Sequence, residues 1–502
     1  MPRPKFLIVL FDGLRPDMVR PDTAPNIHAF RRAWCTLPNA AATFPSETRV
    51  QVSSLVTGNF SGRPARARPG DNRSEGHGII ANAFYDPALG FDGPMDTSDL
   101  ARMRQADAAY GGRLLAAEDL GSILHRADLR YAVLTTGKIG NARLLNWSAA
   151  ERGQPVFSIW GPDVSSPAAA HDAVVARFGP VPEGAFPNSA VIRYAADILL
   201  GDFLARHDPD VAVLWLNEPD LSFHYRGIGT PESLEAIAAV DDAFGRIADW
   251  WRAEGRAAGW HIVTASDHGQ ITATGQLSVL AKLREAGFAA GKAIGPDADI
   301  AVKPGYAGNL TMRDRDPALI DRVFRWLVEQ DWCGMVLRRE PREGALPMAE
   351  LNVASARAPD LWVALRTTDG PNAHGYPGTT LCDNPDIPAG GGIHGGLHRA
   401  ELNTLLTLGG DLFRPESVVE SPCAMTDLVP TMLGALGVEL PGTVAGRPLR
   451  ETLAGGPAAV DWREHVLRAG IGTGTGGYVQ EVTVAEVDGG ALHYLRGGRR
   501  VC

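Results

Sequence analysis

Short apolar runs dense in Val, Ile and Leu recur along the chain, and each stops abruptly at a small or acidic residue. They are KFLIVLFD (5–12), LRYAVLTTG (129–137), VAVLWLNEPD (211–220), GWHIVTASDHG (259–269) and LNTLLTLGG (402–410). Runs this short, without polar alternation, predict strands buried on both faces, as in a parallel sheet. The segments between them change period. In TPESLEAIAAVDDAFGRIADWWRAEG, Leu234, Ile237, Val240, Phe244, Ile247 and Trp251 fall three or four apart, behind Thr230 as N-cap and Pro231 in the first turn. Further helices are expected over 26–33, 46–57, 188–206, 276–286, 317–329 and 425–437.

Strand and helix therefore alternate, which predicts an α/β fold: a doubly wound, mostly parallel sheet with helices on both faces. Residues 285–390 are broken by Gly and Pro and predict an insertion or cap within a catalytic unit spanning 1–502. The Gly-, Pro- and Arg-rich stretch 59–75 has no period and predicts an exposed loop.

Composition narrows what such a fold would do. With 502 residues, 45% of them hydrophobic and 21% charged, the chain can bury a large core. A formal net charge of −10 excludes a nucleic-acid scaffold that works by spreading positive charge along phosphates. A small anionic substrate then needs local positive charge from a metal, an arginine or a helix N-terminus. The apolar run at the amino terminus, Phe6 to Phe11, is too short for a signal-peptide core, and no later segment approaches a membrane span. The expectation is a cytoplasmic protein that makes no use of a membrane. Five widely spaced cysteines, with no Cys-x-x-Cys pair, predict free thiols.

Ligands of open α/β sheets bind where the strands end at their carboxyl edge. Asp12, Asp220 and Asp267 are expected at such ends. His224 lies four residues after Asp220, His268 follows Asp267, and His394 sits in the glycine-bounded turn GGGIHGG. Carboxylate and imidazole together suit zinc, and these six side chains approach the number that two metal ions need. A nucleophilic oxygen is still wanted. In AATFPSETRVQVSSLVTG (41–58), Pro45 suits the first position of a helix. Thr43 is then expected just outside it, where backbone N–H groups and the helix dipole favour a phosphate. Ser46, Glu47 and Thr48 are expected in the first turn, where their ordinary task is to offset the helix N-terminus.

In this order the motifs LIVLFDGLRPD, TFPSETRVQVSSLVTG, GHGIIANAFYDP, NEPDLSFHYRG, SDHG and GIHGG resemble the alkaline phosphatase superfamily, and within it the type I phosphodiesterase/nucleotide pyrophosphatase family. The resemblance implies an alkaline phosphatase-like fold and a dizinc phosphoric diester hydrolase acting on a phosphate ester or nucleotide-like substrate, other divalent metals being alternatives. It implies Thr43 as nucleophile and as ligand of one ion with Asp12, Asp267 and His268. The second ion falls to Asp220, His224 and His394, and Asn82 donates to a nonbridging phosphoryl oxygen. A threonyl-phosphate would form and then be hydrolysed. His398 competes with His394 for the last ligand role, and Ser46 stands where the family usually has Asn. Two alternatives share the fold: a phosphonoacetate-type carbon–phosphorus hydrolase and an inactive binding protein. The Cys/Ser-x-Pro-x-Arg motif of the sulfatase branch is absent.

Overall fold

A computed structural model describes residues 3–64, 75–474, 476–487, 489 and 492–502. The predicted apolar runs become β1 (Lys5–Phe11), β2 (Tyr131–Thr135), β4 (Val211–Leu216), β5 (Trp260–Ala265) and β6 (Leu406–Gly409), joined by β3 (Val156–Ser158). They form one eight-stranded sheet, in the order Ser417–Val418, Cys35–Thr36, β6, β5, β1, β4, β2, β3. The five strands β3, β2, β4, β1 and β5 run parallel, and β6 returns antiparallel to β5. The doubly wound, mostly parallel sheet is thus present.

Both faces of the sheet are covered. Phe6, Ile8 and Leu10 of β1 enter one apolar cluster, and Leu7, Val9 and Phe11 enter the other. This is why β1 reads as an unbroken apolar run. On the second face lies the long helix Pro231–Trp250, whose Thr230 hydroxyl accepts from Ser233 N–H at 3.3 Å, as the capping pattern predicts. Its Phe244 meets Phe11 and Phe30 edge to face, with ring centroids 5.8 and 5.2 Å apart.

Register aligns the ends of the strands. Phe11 pairs with Leu216 and Leu10 with Ala265, so the segments after β1, β4 and β5 emerge side by side at one edge. Residues 285–390 carry all of a second, six-stranded sheet packed by the helix Pro317–Val328. Residues Trp462–Ile471, Tyr478–Val487 and Leu492–Arg500 form an antiparallel three-stranded sheet that the apolar runs do not announce. Of the predicted 59–75 loop, Arg63 donates its N–H to Ala354 O at 2.7 Å, and residues 65–74 lie outside the described residues. Four cysteines are buried, Cys502 is exposed, and all five are free. Among the described residues no helix is long and apolar enough to cross a membrane.

Two local boundaries differ from expectation. The strand expected over 211–220 stops at Leu216, and Asp220 opens the helix α2 (Asp220–Arg226) instead. The helix expected over 46–57 starts later, as α1 (Thr48–Thr57), because Glu47 is extended, at φ −111° and ψ 138°. The Gln51 side chain holds the preceding segment out of the helix by donating to the carbonyls of Thr43 (2.9 Å) and Pro45 (3.1 Å).

We predict that Phe244→Ala lowers unfolding free energy by about 3–5 kcal/mol, the usual cost of emptying a buried aromatic site. Urea denaturation measures it, and a loss below about 1 kcal/mol would contradict the packing described.

Candidate active site

Six of the predicted ligands come together at the carboxyl edge. Asp12 directly follows β1, and its N–H donates to Leu216 O at 2.9 Å. Gly13 then takes φ +71°, and a Cβ there would lie 2.9 Å from the Cβ of Asp220, so only glycine lets the two acidic segments approach. Asp267 lies two residues past β5, and its Oδ1 accepts from Gly13 N–H (2.9 Å) and His268 N–H (3.0 Å). Asp220 and His224 are one turn apart on α2, with His224 Nε2 3.3 Å from Asp220 Oδ1. His394 Nε2 approaches the same oxygen at 3.6 Å, and His268 Nε2 lies 3.1 Å from Asp267 Oδ2 and 3.7 Å from Asp12 Oδ1.

All three imidazoles are oriented in the same manner. Nδ1 of His224 faces Gly392 O at 2.8 Å, that of His394 faces Ser46 O at 2.7 Å, and that of His268 faces Gly269 O at 3.1 Å. A carbonyl beside Nδ1 fixes the proton there and leaves the Nε2 lone pair turned toward the carboxylates, the arrangement of a metal-ligating histidine. Asp12 Oδ1 and Asp267 Oδ2 are buried without a hydrogen-bond partner. Burial, then Asp267 and Asp220, push the Asp12 carboxyl well above its ordinary range. Burial and the neighbouring His268 drive His394 well below its own. A cluster of buried carboxylates and imidazoles with orphaned oxygens fits a divalent cation. Two groups have their donor atoms close enough to share an ion: Asp12, Asp267 and His268, and Asp220, His268 and His394.

Thr43 is not brought to this cluster. Its hydroxyl faces Gln51 Oε1 (3.2 Å) and Ser54 Oγ (3.3 Å), and it borders a separate small cavity with His493 and Tyr494. The reason is the later helix start: Thr43 lies five residues before α1, on an extended segment held by Gln51. Thr48, at the first position of α1, stands there instead, with Oγ1 3.1 Å from His268 Nε2. Asn82 is present, its Oδ1 accepting from Arg49 N–H at 2.9 Å and its own N–H donating to Glu47 Oε2.

Thr48, Asn82, Asp12, Asp220, His224 and His394 all line one cavity of about 750 Å³, which Trp160, Phe186 and Tyr225 border on an aromatic side. Lys303, at the end of the strand Ile300–Lys303 of the second sheet, enters it beside Glu47 Oε1 at 3.4 Å. His398 stays out of the cluster; its ring caps the helix Arg399–Leu402 and reaches Asp369. Ser46 is a positioning residue rather than a cavity wall, since its Oγ accepts from Gly395 N–H at 3.0 Å and its carbonyl orients His394.

Sequence reading missed Thr48, the Trp215 indole that donates to Asp12 Oδ2 at 2.9 Å, and the cations Arg49 and Lys303. A signal for Thr48 existed: it opens the stretch that runs unbroken into the helix-ending Gly58.

A parallel sheet with an acidic and imidazole cluster at its carboxyl edge is the build of the alkaline phosphatase superfamily. Within it, the sequence profile of the type I phosphodiesterase / nucleotide pyrophosphatase family matches residues 6–367, and the chain belongs to that family. Its fold resembles murine ectonucleotide pyrophosphatase / phosphodiesterase 5, with a TM-score of 0.59 and 17% identity over 90% of this chain and all of that one. An inactive variant of that murine protein, solved in complex with AMP, matches with a TM-score of 0.58 and 18% identity over 87% of this chain and 96% of the other. No curated protein matches the chain.

The loop that carries His394 hangs on one buried carboxylate. Glu401 accepts from Gly396 N–H (2.9 Å), His398 N–H (2.7 Å) and Ser46 Oγ (3.3 Å). We predict that Glu401→Ala costs about 2–4 kcal/mol, because buried donors are left unpaired. Equilibrium denaturation checks this, and unchanged stability would mean that other contacts hold the loop.

Proposed function

We propose that the chain is a metal-dependent phosphodiesterase or pyrophosphatase that cleaves phosphate esters or anhydrides of a nucleotide-like substrate, with Thr48 rather than Thr43 as nucleophile. The observation that carries the reading is the 3.1 Å approach of Thr48 Oγ1 to His268 Nε2, inside the carboxylate and imidazole cluster. Asp12, Asp267, His268 and Thr48 would hold one zinc ion, and Asp220, His224 and His394 a second. Such ions, when bound, supply positive charge to the phosphoryl oxygens and lower the pKa of a hydroxyl at the site.

The chain's own residues account for the rest. Thr48 sits at the N-terminus of α1, where the positive end of the helix dipole favours an anion. Its oxygen attacks phosphorus, the bond to the leaving oxygen breaks, and the threonyl-phosphate formed is then hydrolysed by water. Asn82 has its carbonyl oxygen engaged by Arg49 N–H, which leaves its NH₂ group to donate to a nonbridging oxygen. Trp160 and Phe186, 53% and 39% exposed, offer flat apolar area beside the reacting centre, suited to a nucleobase. The AMP held by the inactive murine neighbour supports the same class of substrate.

Thr48→Ala is expected to lower turnover of bis(p-nitrophenyl) phosphate by at least about 10³-fold while zinc remains bound, whereas Thr43→Val keeps most activity. The reverse ranking would falsify the choice of Thr48. Chelation should abolish turnover and added zinc restore it, with two ions per chain by elemental analysis. His224→Ala is expected to lose one of the two. Parallel assays on an aryl monoester and on phosphonoacetate separate the phosphodiesterase reading from carbon–phosphorus hydrolysis.

A further inference from the structure

Arg49 follows Thr48 in the first turn of α1 and borders the same cavity. Its side chain is only 11% exposed. Three contacts fix it: the backbone N–H to Asn82 Oδ1, the Nε to Thr97 Oγ1, and the stem against Gly140, where a Cβ would lie 2.6 Å from Arg49 Cδ. Neither Nη1 nor Nη2 makes a hydrogen bond among the described residues. Asp96 Oδ1 is 4.0 Å from Nη2 and is already taken by Ser98, whose N–H and hydroxyl both donate to it at 2.7 Å.

The other cation near Thr48 is differently placed. Lys303 is paired with Glu47, which also holds the Asn82 N–H. Arg49 is therefore a guanidinium held at Nε and along its stem, whose outer nitrogens border the cavity with only the 4.0 Å ion pair to Asp96 and no hydrogen bond among the described residues, so a ligand there would find them able to donate. Its planar fork matches the oxygens of a phosphate or carboxylate better than a single charge does. A phosphodiester carries one negative charge at phosphorus, for which Asn82 and the ligand cluster are already in place. A second charge would need its own partner.

Building on the reading above, we propose that Arg49 is a specificity-determining residue that binds a second negative charge carried on, or directly beside, the phosphoryl group attacked at Thr48. Two sources share this chemistry: the extra oxygen of a phosphomonoester dianion, and the adjacent phosphate of a pyrophosphate linkage.

The test measures binding, so it does not depend on turnover. Zinc-loaded wild type, Arg49→Gln and Arg49→Lys are titrated calorimetrically with orthophosphate, methylenediphosphonate and dimethyl phosphate, and zinc content and melting temperature are recorded for each. Wild type is expected to bind a doubly charged ligand at least about tenfold more tightly than dimethyl phosphate, Arg49→Gln to lose that preference, and Arg49→Lys to recover part of it. Loss confined to orthophosphate assigns the monoester oxygen, and loss confined to methylenediphosphonate assigns the neighbouring phosphate. Arg49→Lys keeps the stem and the charge, and a fall in its preference relative to wild type decides the matter if the Gln variant does not fold. A preference unchanged in both variants, or absent from wild type, overturns the proposal. An Arg49-dependent preference in a protein that hydrolyses no phosphate ester would instead sink the catalytic reading and leave this one standing.

Discussion

Three carboxylates crowded at one sheet edge repel one another, and much of the organisation around that edge answers this constraint. Asp12 and Asp267 are almost wholly removed from water, each with one oxygen that has no hydrogen-bond donor. Their positions follow directly from strand register, since β1, β4 and β5 end level with one another. The hydrophobic cores on the two faces of the sheet therefore do more than stabilise the fold. They hold like charges closer together than water-exposed loops would, and in doing so assemble two groups of side chains whose donor atoms are close enough to share an ion.

The imidazoles show how such a site is kept specific. Each of the three has its Nδ1 tied to a main-chain carbonyl, and those carbonyls come from Gly392, Ser46 and Gly269. A main-chain acceptor cannot be lost by a side-chain substitution, so the ligand geometry is bound to the path of the chain itself. It also ties the segment before α1 to the His394 turn, because Ser46 contributes both its carbonyl and its hydroxyl there. The cluster, α1 and the His394 turn are thereby one mechanical unit.

Much of this was legible beforehand, for identifiable reasons. A strand buried on both faces leaves a run of Val, Ile and Leu, and an acidic residue just beyond such a run stands out; Asp12 and Asp267 were visible in this way. His224 and Asp220 share a face through helical spacing, although the sequence suggested a strand end for Asp220 where the structure has the start of α2. Thr43 stands apart from the cluster because Pro45, though a good first residue of a helix, does not begin α1. What delays the helix is Gln51, a residue inside it, folding back onto carbonyls six and eight residues earlier. No window of local propensity contains that contact. The carboxy-terminal sheet was hidden for a related reason: residues 462–471 form an edge strand with alternating exposure, and short alternation among Arg, Glu and Gly is a weak signal.

The helix α1 carries the remaining lesson. All ten of its residues are buried, yet it includes Arg49, Gln51, Ser53, Ser54 and two threonines. A helix buried on every side is ordinarily apolar, and polar residues there are tolerated only when each finds a partner. Here most do: Ser53 returns its hydroxyl to Arg49 O, Thr57 to Ser53 O, Ser54 meets His77, and Gln51 holds the incoming chain. Thr48 and Arg49, at the end that opens into the cavity, are the exceptions in kind. Their polar atoms point to a carboxylate and imidazole cluster and to unfilled space, so the same helix that is satisfied along its length is left deliberately incomplete at its N-terminus. Hydroxyl and guanidinium then meet where a phosphate would complete them.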